Sequence, residues 1–459
     1  MFMKFFLLVF FQTLAFQSFA MDEADARHLL IRTGFTPTPS ELAAVSTMEY
    51  RHAVEQLLLG TQANSVIINP EWVGELPPVP AKRKQMSKDE RKVWRKKLRR
   101  RGFELRGWWI RQMVATRSPL TERMVLFWHN HFTSSLQKVR WPNLIYHQNQ
   151  LFRRYALGNF RDLLHAVSQD PAMVIYLDSH RNKKGKPNEN FARELLELFT
   201  LGEGQYSEKD IKEAARAFTG YSVNRRIGEF RFRQRQHDSG YKTFLGRTGN
   251  LDGQQVIEII LQQPRTAVYI VEKLWREFIS STPDTQKVKQ LASLFRNNNY
   301  EIKPLLRAMF LSKAFRDPAN RNILIKSPAE YLVGTLRLLN IQIQDGRGLA
   351  FASRRLGQDL LNPPNVKGWP GGNNWITSET LPLRRQMMQR VLRGMGGKGK
   401  GGMKKIQLGE PDYAPFMQLD TQQMINVVLG MNPVDTVDLS QNNRQLLNQL
   451  LLDPVYHLK

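Results

Sequence analysis

The chain has 459 residues, 41% hydrophobic and 24% charged, enough apolar side chain to bury a large core in one domain or two. It has no cysteine, which excludes disulfides, thiolate metal sites and a cysteine nucleophile, so any metal must be held by His, Asp and Glu. The net charge of +26 is concentrated in two segments: Lys82 to Arg101 holds twelve cations against Asp89 and Glu90, and Arg390 to Lys405 holds six with no acid, together 16 of the 26 charges. Such runs form solvated faces or linkers and can anchor a protein to polyanions.

Met1 to Lys4 is a short positive start, Phe5 to Phe16 an apolar run too short to span a bilayer, and Ser18-Phe19-Ala20 has the small-x-small form of a cleavage site. This predicts a signal peptide over residues 1–20, cleaved after Ala20, and export to the periplasm or the medium. No later stretch approaches the ~20 apolar residues of a membrane helix. From Asp22 onward the pattern is helical, over Asp25 to Arg32, Ser40 to Ser46 and Tyr50 to Leu59, followed by a proline-rich bridge from Pro70 to Pro80. Between Ser87 and Arg117, Trp94, Trp108 and Trp109 sit among the cations. Interleaved tryptophans and cations can stack on single-stranded nucleic acid or bind an anionic polymer or envelope surface, and the alternative is an amphipathic helix docked by its aromatic stripe with its basic face in solvent.

Ser118-Pro119 opens a helix that runs through WHNHF, where His129 and His131 are candidate metal ligands. Residues two apart on a helix point about 200° from each other, so both reach one ion only at an extended or frayed end. The segment Pro187 to Gly202, PNENFARELLELFTLG, reads as a largely buried helix with Asn188 capping its first turn and Gly202 ending it. Asn190, Glu194 and Glu197 fall within about 60° on its polar arc, with Arg193 beside them. Paired carboxylates in low dielectric must be neutralised, protonated or bound to a cation, so Glu194 and Glu197 are candidate acid/base residues, with Asn190 and Arg193 as ligand contacts. An ion cluster with Arg193 and neighbouring cations is the structural alternative.

Ser207 and Asp210 form a capping box before a helix whose core stripe is Ile211, Ala214, Ala215 and Phe218. Alternation over residues 221–236 predicts a β-hairpin, which delivers His237-Asp238 as a further acid/base or metal element if it folds over the carboxylates. The second half is again helical. Asn362 to Trp375 is a rigid loop in which Trp369 and Trp375 either stack on sugar rings or plug the core. Residues 393–411 read as a flexible basic linker and 412–459 as a helical appendage. The predicted fold is mainly α, one large multi-helix domain over residues 21–392 with the basic insertion at 82–101 and a hairpin near 221–236.

WHNHF at Trp128, the Pro187 to Gly202 segment, YSEKDIKEAARAFTGY at Tyr206, the HD at His237, KTFLG at Lys242 and PPNVKGWPGG at Pro363 together resemble the bacterial family catalogued as domain of unknown function 1800, over roughly residues 25–391. The resemblance implies an exported, mostly helical protein with no settled activity. Its members are often encoded beside an exported protein resembling the sulfatase and alkaline-phosphatase superfamily, which the resemblance offers as a partner. The family's central helix usually carries histidine where this chain has Phe199, which weakens a metal site there.

Two functional expectations follow. In the first, Glu194, Glu197, His237 and Asp238, with or without one divalent metal, hydrolyse or transfer on an envelope or extracellular polymer. In the second, a non-catalytic envelope factor binds an anionic polymer or protein partner through its basic segments. A nucleic-acid partner is disfavoured, because an exported protein does not meet cytoplasmic DNA or RNA and basic charge alone binds without sequence preference.

Overall fold

Side-chain caps set many of the helix starts. Ser87 with Glu90, Ser207 with Asp210, Asp252 with Gln255 and Ser327 with Glu330 each form a reciprocal capping box, satisfying backbone donors that the first turn leaves without partners. The computed structural model describes residues 20–75, 85–393, 408–438 and 440–459. The predicted leader, the first cations of the basic insertion and most of the basic linker therefore lie outside the described residues.

The architecture is mainly α and forms a single domain, with helix packed on helix around one continuous apolar core. Among the described residues strands are confined to two antiparallel hairpins, Tyr221–Asn224 with Glu229–Phe232 and Lys242–Phe244 with Arg247–Gly249. The first is the hairpin the alternation predicts. No helix among the described residues is long and apolar enough to cross a membrane.

The basic segment is a single helix, Lys88–Ala115, of 28 residues. Its first half is exposed from Lys88 to Lys97 except for half-buried Trp94, whereas Trp108 and Trp109 are fully inside the core. The tryptophans thus dock the helix rather than present a stacking surface. Arg101 bends back to Glu75 and lies 5.4 Å over the Trp72 ring, fastening the preceding loop to the helix.

The C-terminal segment, expected to be appended, is packed into the core. Arg27 in the first helix, Glu23–Thr33, donates to the carbonyls of Val427 and Val428 at 3.2 and 3.0 Å. Leu446, Leu447, Leu450 and Leu451 are buried, and Leu458 bridges to Ile325. The segment therefore closes the same core that the N-terminal helix opens.

Candidate functional site

The central segment departs from the uniform helix that its spacing predicts. Asn190–Glu194 is α-helical, but Leu195–Thr200 is a π-helix, with Leu201 N–H reaching back five residues to the Leu196 carbonyl at 2.9 Å. A π turn leaves carbonyls unmatched by the usual i→i+4 bonds, and such turns concentrate at functional sites. Here distant side chains supply the donors. His131 Nε2 lies 3.1 Å from the Phe199 carbonyl, Tyr269 donates to the Leu198 carbonyl at 3.0 Å, Lys273 reaches the same oxygen at 3.4 Å, and Arg265 donates to the Leu201 carbonyl at 3.0 Å.

Glu194 and Glu197 remain neighbours on the outer arc of this segment, half-buried. Burial, and then the charge of Glu197, push the Glu194 carboxyl up, while Arg193 and Lys367 oppose the shift. Glu197 accepts from the Tyr206 hydroxyl at 3.3 Å. Arg193 does not pair with them: its guanidinium holds Glu208 at 2.8 Å and Glu189 at 3.2 Å. Asn190 is exposed to solvent.

His237 and Asp238 are placed elsewhere. The His237 ring donates from Nδ1 to the Thr219 carbonyl at 3.0 Å and packs on Phe232. Asp238 accepts from Arg216 Nε at 2.8 Å and from the Gly240 N–H at 2.9 Å, and these donors hold its carboxyl down at about 2. The hairpin before them packs against Pro171–Tyr176 and the turn at Ser179–Arg181 rather than over the glutamates. None of the charges acting on Glu194 comes from His237 or Asp238.

The two histidines diverge, as their spacing requires. His129 sits among Trp109, Phe152 and Trp369, with ring centroids 5.6 to 6.2 Å away, and burial lowers its pKa to about 3. His131 faces the π turn, and burial together with the Lys273 charge holds it well below the usual imidazole range. Among the described residues no three His, Asp or Glu side chains converge as a metal would need. The donor set does not fit the one divalent metal considered from the sequence.

The structure does assemble a cleft of about 470 Å³ between the helices Pro119–His131 and Pro264–Phe278 and the loop containing Trp369. The loop is held in place by Asn130, whose side-chain oxygen accepts from the Trp369 N–H at 2.7 Å. Gly368, with φ of +84°, lets the backbone approach, since a Cβ there would overlap Asn130. WHNHF and GWPGG, remote in sequence, thus build one wall together. Trp369 and Trp375 are 5% and 7% exposed, so they plug the loop onto the core while lining the cleft.

The floor is a closed ion cluster: Arg123 pairs with Glu277 and Glu330, and Lys459 pairs with Glu330. The wall above it is not balanced. Lys273 and Arg276 line the cleft and make no ion pair among the described residues. Burial, and then the Arg276 charge, lower the Lys273 pKa to about 8. Lys367 completes the rim, 3.7 Å from Glu203 in an exposed pair that is worth little. Two further polar atoms of the lining are buried without partners, Trp369 Nε1 and His131 Nδ1. A carbonyl only accepts, so His131 must donate from Nε2 to Phe199, and its Nδ1 is left as an unprotonated acceptor.

Sequence reasoning singled out His131, Trp369 and Trp375 from this cleft but not Lys273, Arg276 or Arg123. A signal was present: Lys273 and Arg276, three apart, share one face of a helix whose other face is Ile270, Val271, Leu274 and Trp275.

A family model described as "Protein of unknown function (DUF1800)" matches residues 28–456, extending the resemblance through the C-terminal segment. No curated protein and no solved structure matches the chain.

Proposed function

Because the chain belongs to this family, whose description names no activity, we propose its function from geometry: it is an exported, non-catalytic binding protein that holds an acidic group of an envelope or extracellular polymer in the cleft. The observation carrying this reading is the pair Lys273 and Arg276, part of a cleft wall and without a carboxylate to balance them. A carboxylate or phosphate placed there gains charge-assisted hydrogen bonds from the partly buried Lys273 and the exposed Arg276. The exposed cations of Lys88–Ala115 add a sequence-independent anchor to an anionic surface.

Calorimetry with an acidic oligosaccharide, a uronic-acid trimer, against a neutral glucose trimer tests this. The acidic ligand is expected to bind and the neutral one not. Lys273→Met, which keeps the packed methylenes, is expected to weaken binding about tenfold or more. The unchanged protein is expected to lose affinity as pH rises through about 8, because Lys273 is cationic below that value and neutral above it. Equal affinity for the two trimers, or no effect of Lys273→Met, refutes the reading.

One observation favours a second, hydrolytic reading: Glu194 is pushed toward its protonated form beside Glu197, the division of roles an acid/base pair needs. In that case Glu194→Gln abolishes release of reducing ends from the acidic oligomer while its binding persists. Absence of any such release by the unchanged protein counts against the hydrolytic reading.

A further inference from the structure

A second groove, of about 460 Å³, runs between the helices Lys88–Ala115, Arg347–Arg355 and Thr380–Leu392 and shares no lining residue with the cleft. This volume is within the roughly 300–1,000 Å³ of small-molecule sites. Its inner surface is apolar, built from Phe103, Phe351, Leu356, Leu383 and Met387. Phe351, in the floor of the groove, is 38% exposed. The polar lining is six cations and Gln386, with Lys96, Arg99 and Arg100 on one wall, Arg347, Arg355 and Arg390 on the other, and no acid. Arg100 and Arg347 are engaged by Glu104 and Asp345, whereas Lys96 and Arg99 are exposed and make no ion pair among the described residues.

We propose that this groove binds an amphiphile with a single acyl chain and a phosphate headgroup. The argument is complementarity on two counts at once. A soluble anion would use the rim and leave the apolar floor wet, and a neutral hydrocarbon would fill the floor and leave Lys96 and Arg99 without a counter-charge. A chain with an anionic end satisfies both, and each buried methylene adds roughly fourfold to its affinity. The chain's own segments 76–84 and 394–407 contain cations and no acid, so neither complements the rim.

The test is calorimetry and native mass spectrometry of the full chain with dodecyl phosphate below its micelle concentration. Octyl phosphate, dodecyl maltoside and inorganic phosphate serve as comparisons. One dodecyl phosphate per chain is expected, with affinity more than tenfold above octyl phosphate and above the neutral maltoside, and no saturable binding of inorganic phosphate. Phe351→Glu places an acid on an exposed position of the groove and is expected to cut affinity at least tenfold; Lys96→Glu with Arg99→Glu, also exposed, is expected to do the same. Lys273→Met is expected to leave it unchanged, so this proposal and the cleft reading fail independently. Unaltered affinity in Phe351→Glu, or equal binding of the maltoside, overturns it. Binding only after deletion of residues 394–407 would assign the groove to that segment instead. A dimer that Phe351→Glu dissociates, with no amphiphile bound, would assign it to a second copy of the chain.

Discussion

Glu122→Ala is expected to cost about 3–5 kcal/mol of folding stability, because it strands a buried guanidinium. Glu122 lies on the helix Pro119–His131 with no solvent exposure and accepts four hydrogen bonds. Two come from Arg153 at 2.8 and 3.1 Å, one from Trp109 Nε1 at 3.1 Å and one from Gln112 Nε2 at 3.0 Å. Gln112 in turn accepts from the backbone N–H groups of Val66 and Ile67, so a single carboxylate ties two neighbouring helices and a loop to its own helix. Removing it leaves Arg153 charged, 1% exposed and without its bidentate partner. The cost then comes mainly from desolvation, which a second substitution can relieve. Glu122→Leu with Arg153→Met is therefore expected to lose less than Glu122→Ala alone, although it removes more polar contacts. Urea denaturation of the three proteins measures this. If the double variant is the least stable, the pair stabilises the fold through its attraction and the desolvation argument is wrong.

That network shows which parts of the molecule can be read along the chain. Ser207 with Asp210 is legible because a cap and its partner are three residues apart, and the box lies where the pattern puts it. The hairpin at Tyr221–Phe232 is legible for the same reason, its signal being local alternation around a turn. The π turn is not. Its register depends on Tyr269 and Lys273, 71 and 75 residues beyond the carbonyl they satisfy, and on His131, 68 residues before its own acceptor. Apolar spacing around Leu195, Leu196 and Phe199 is compatible with either helix, and only donors from elsewhere decide between them. The His237-Asp238 pair fails in the opposite way: its chemistry looked available in sequence, yet Thr219 and Arg216, both within 22 residues, consume it. The cleft was half legible. Histidine and tryptophan draw attention as residue types, while Lys273 and Arg276 are not singled out until the fold turns their face toward Trp369. The C-terminal segment looked detachable because the basic linker precedes it, and nothing local announces that Arg27, some 400 residues earlier, will bind its carbonyls.

Gly107→Ala is the substitution whose sign is most informative. In the middle of an exposed helix, alanine is better than glycine by about 1 kcal/mol, so helix propensity alone predicts stabilisation. Gly107 is instead buried in Lys88–Ala115, backed against the start of Arg347–Arg355. A Cβ there would lie 2.7 Å from the Gly346 carbonyl carbon and 2.8 Å from the Arg347 nitrogen, both backbone atoms that cannot rotate away. Gly346 faces the same problem in reverse, since its own Cβ would overlap the Gly107 backbone. The two glycines thus set the closest approach of the two helices, and that crossing fixes the spacing of two walls of the amphiphile groove. Overpacking of this kind costs about 1–3 kcal/mol and can cost more where backbone must move. The alanine variant is accordingly expected to be destabilised by about 1–3 kcal/mol, and Gly107→Leu by more, with the groove widened and dodecyl phosphate bound at least tenfold more weakly. Denaturation and calorimetry on the same samples check both parts. A Gly107→Ala protein more stable than the parent would mean that helix propensity outweighs the crossing, and that the close approach at Gly346 does not determine the groove.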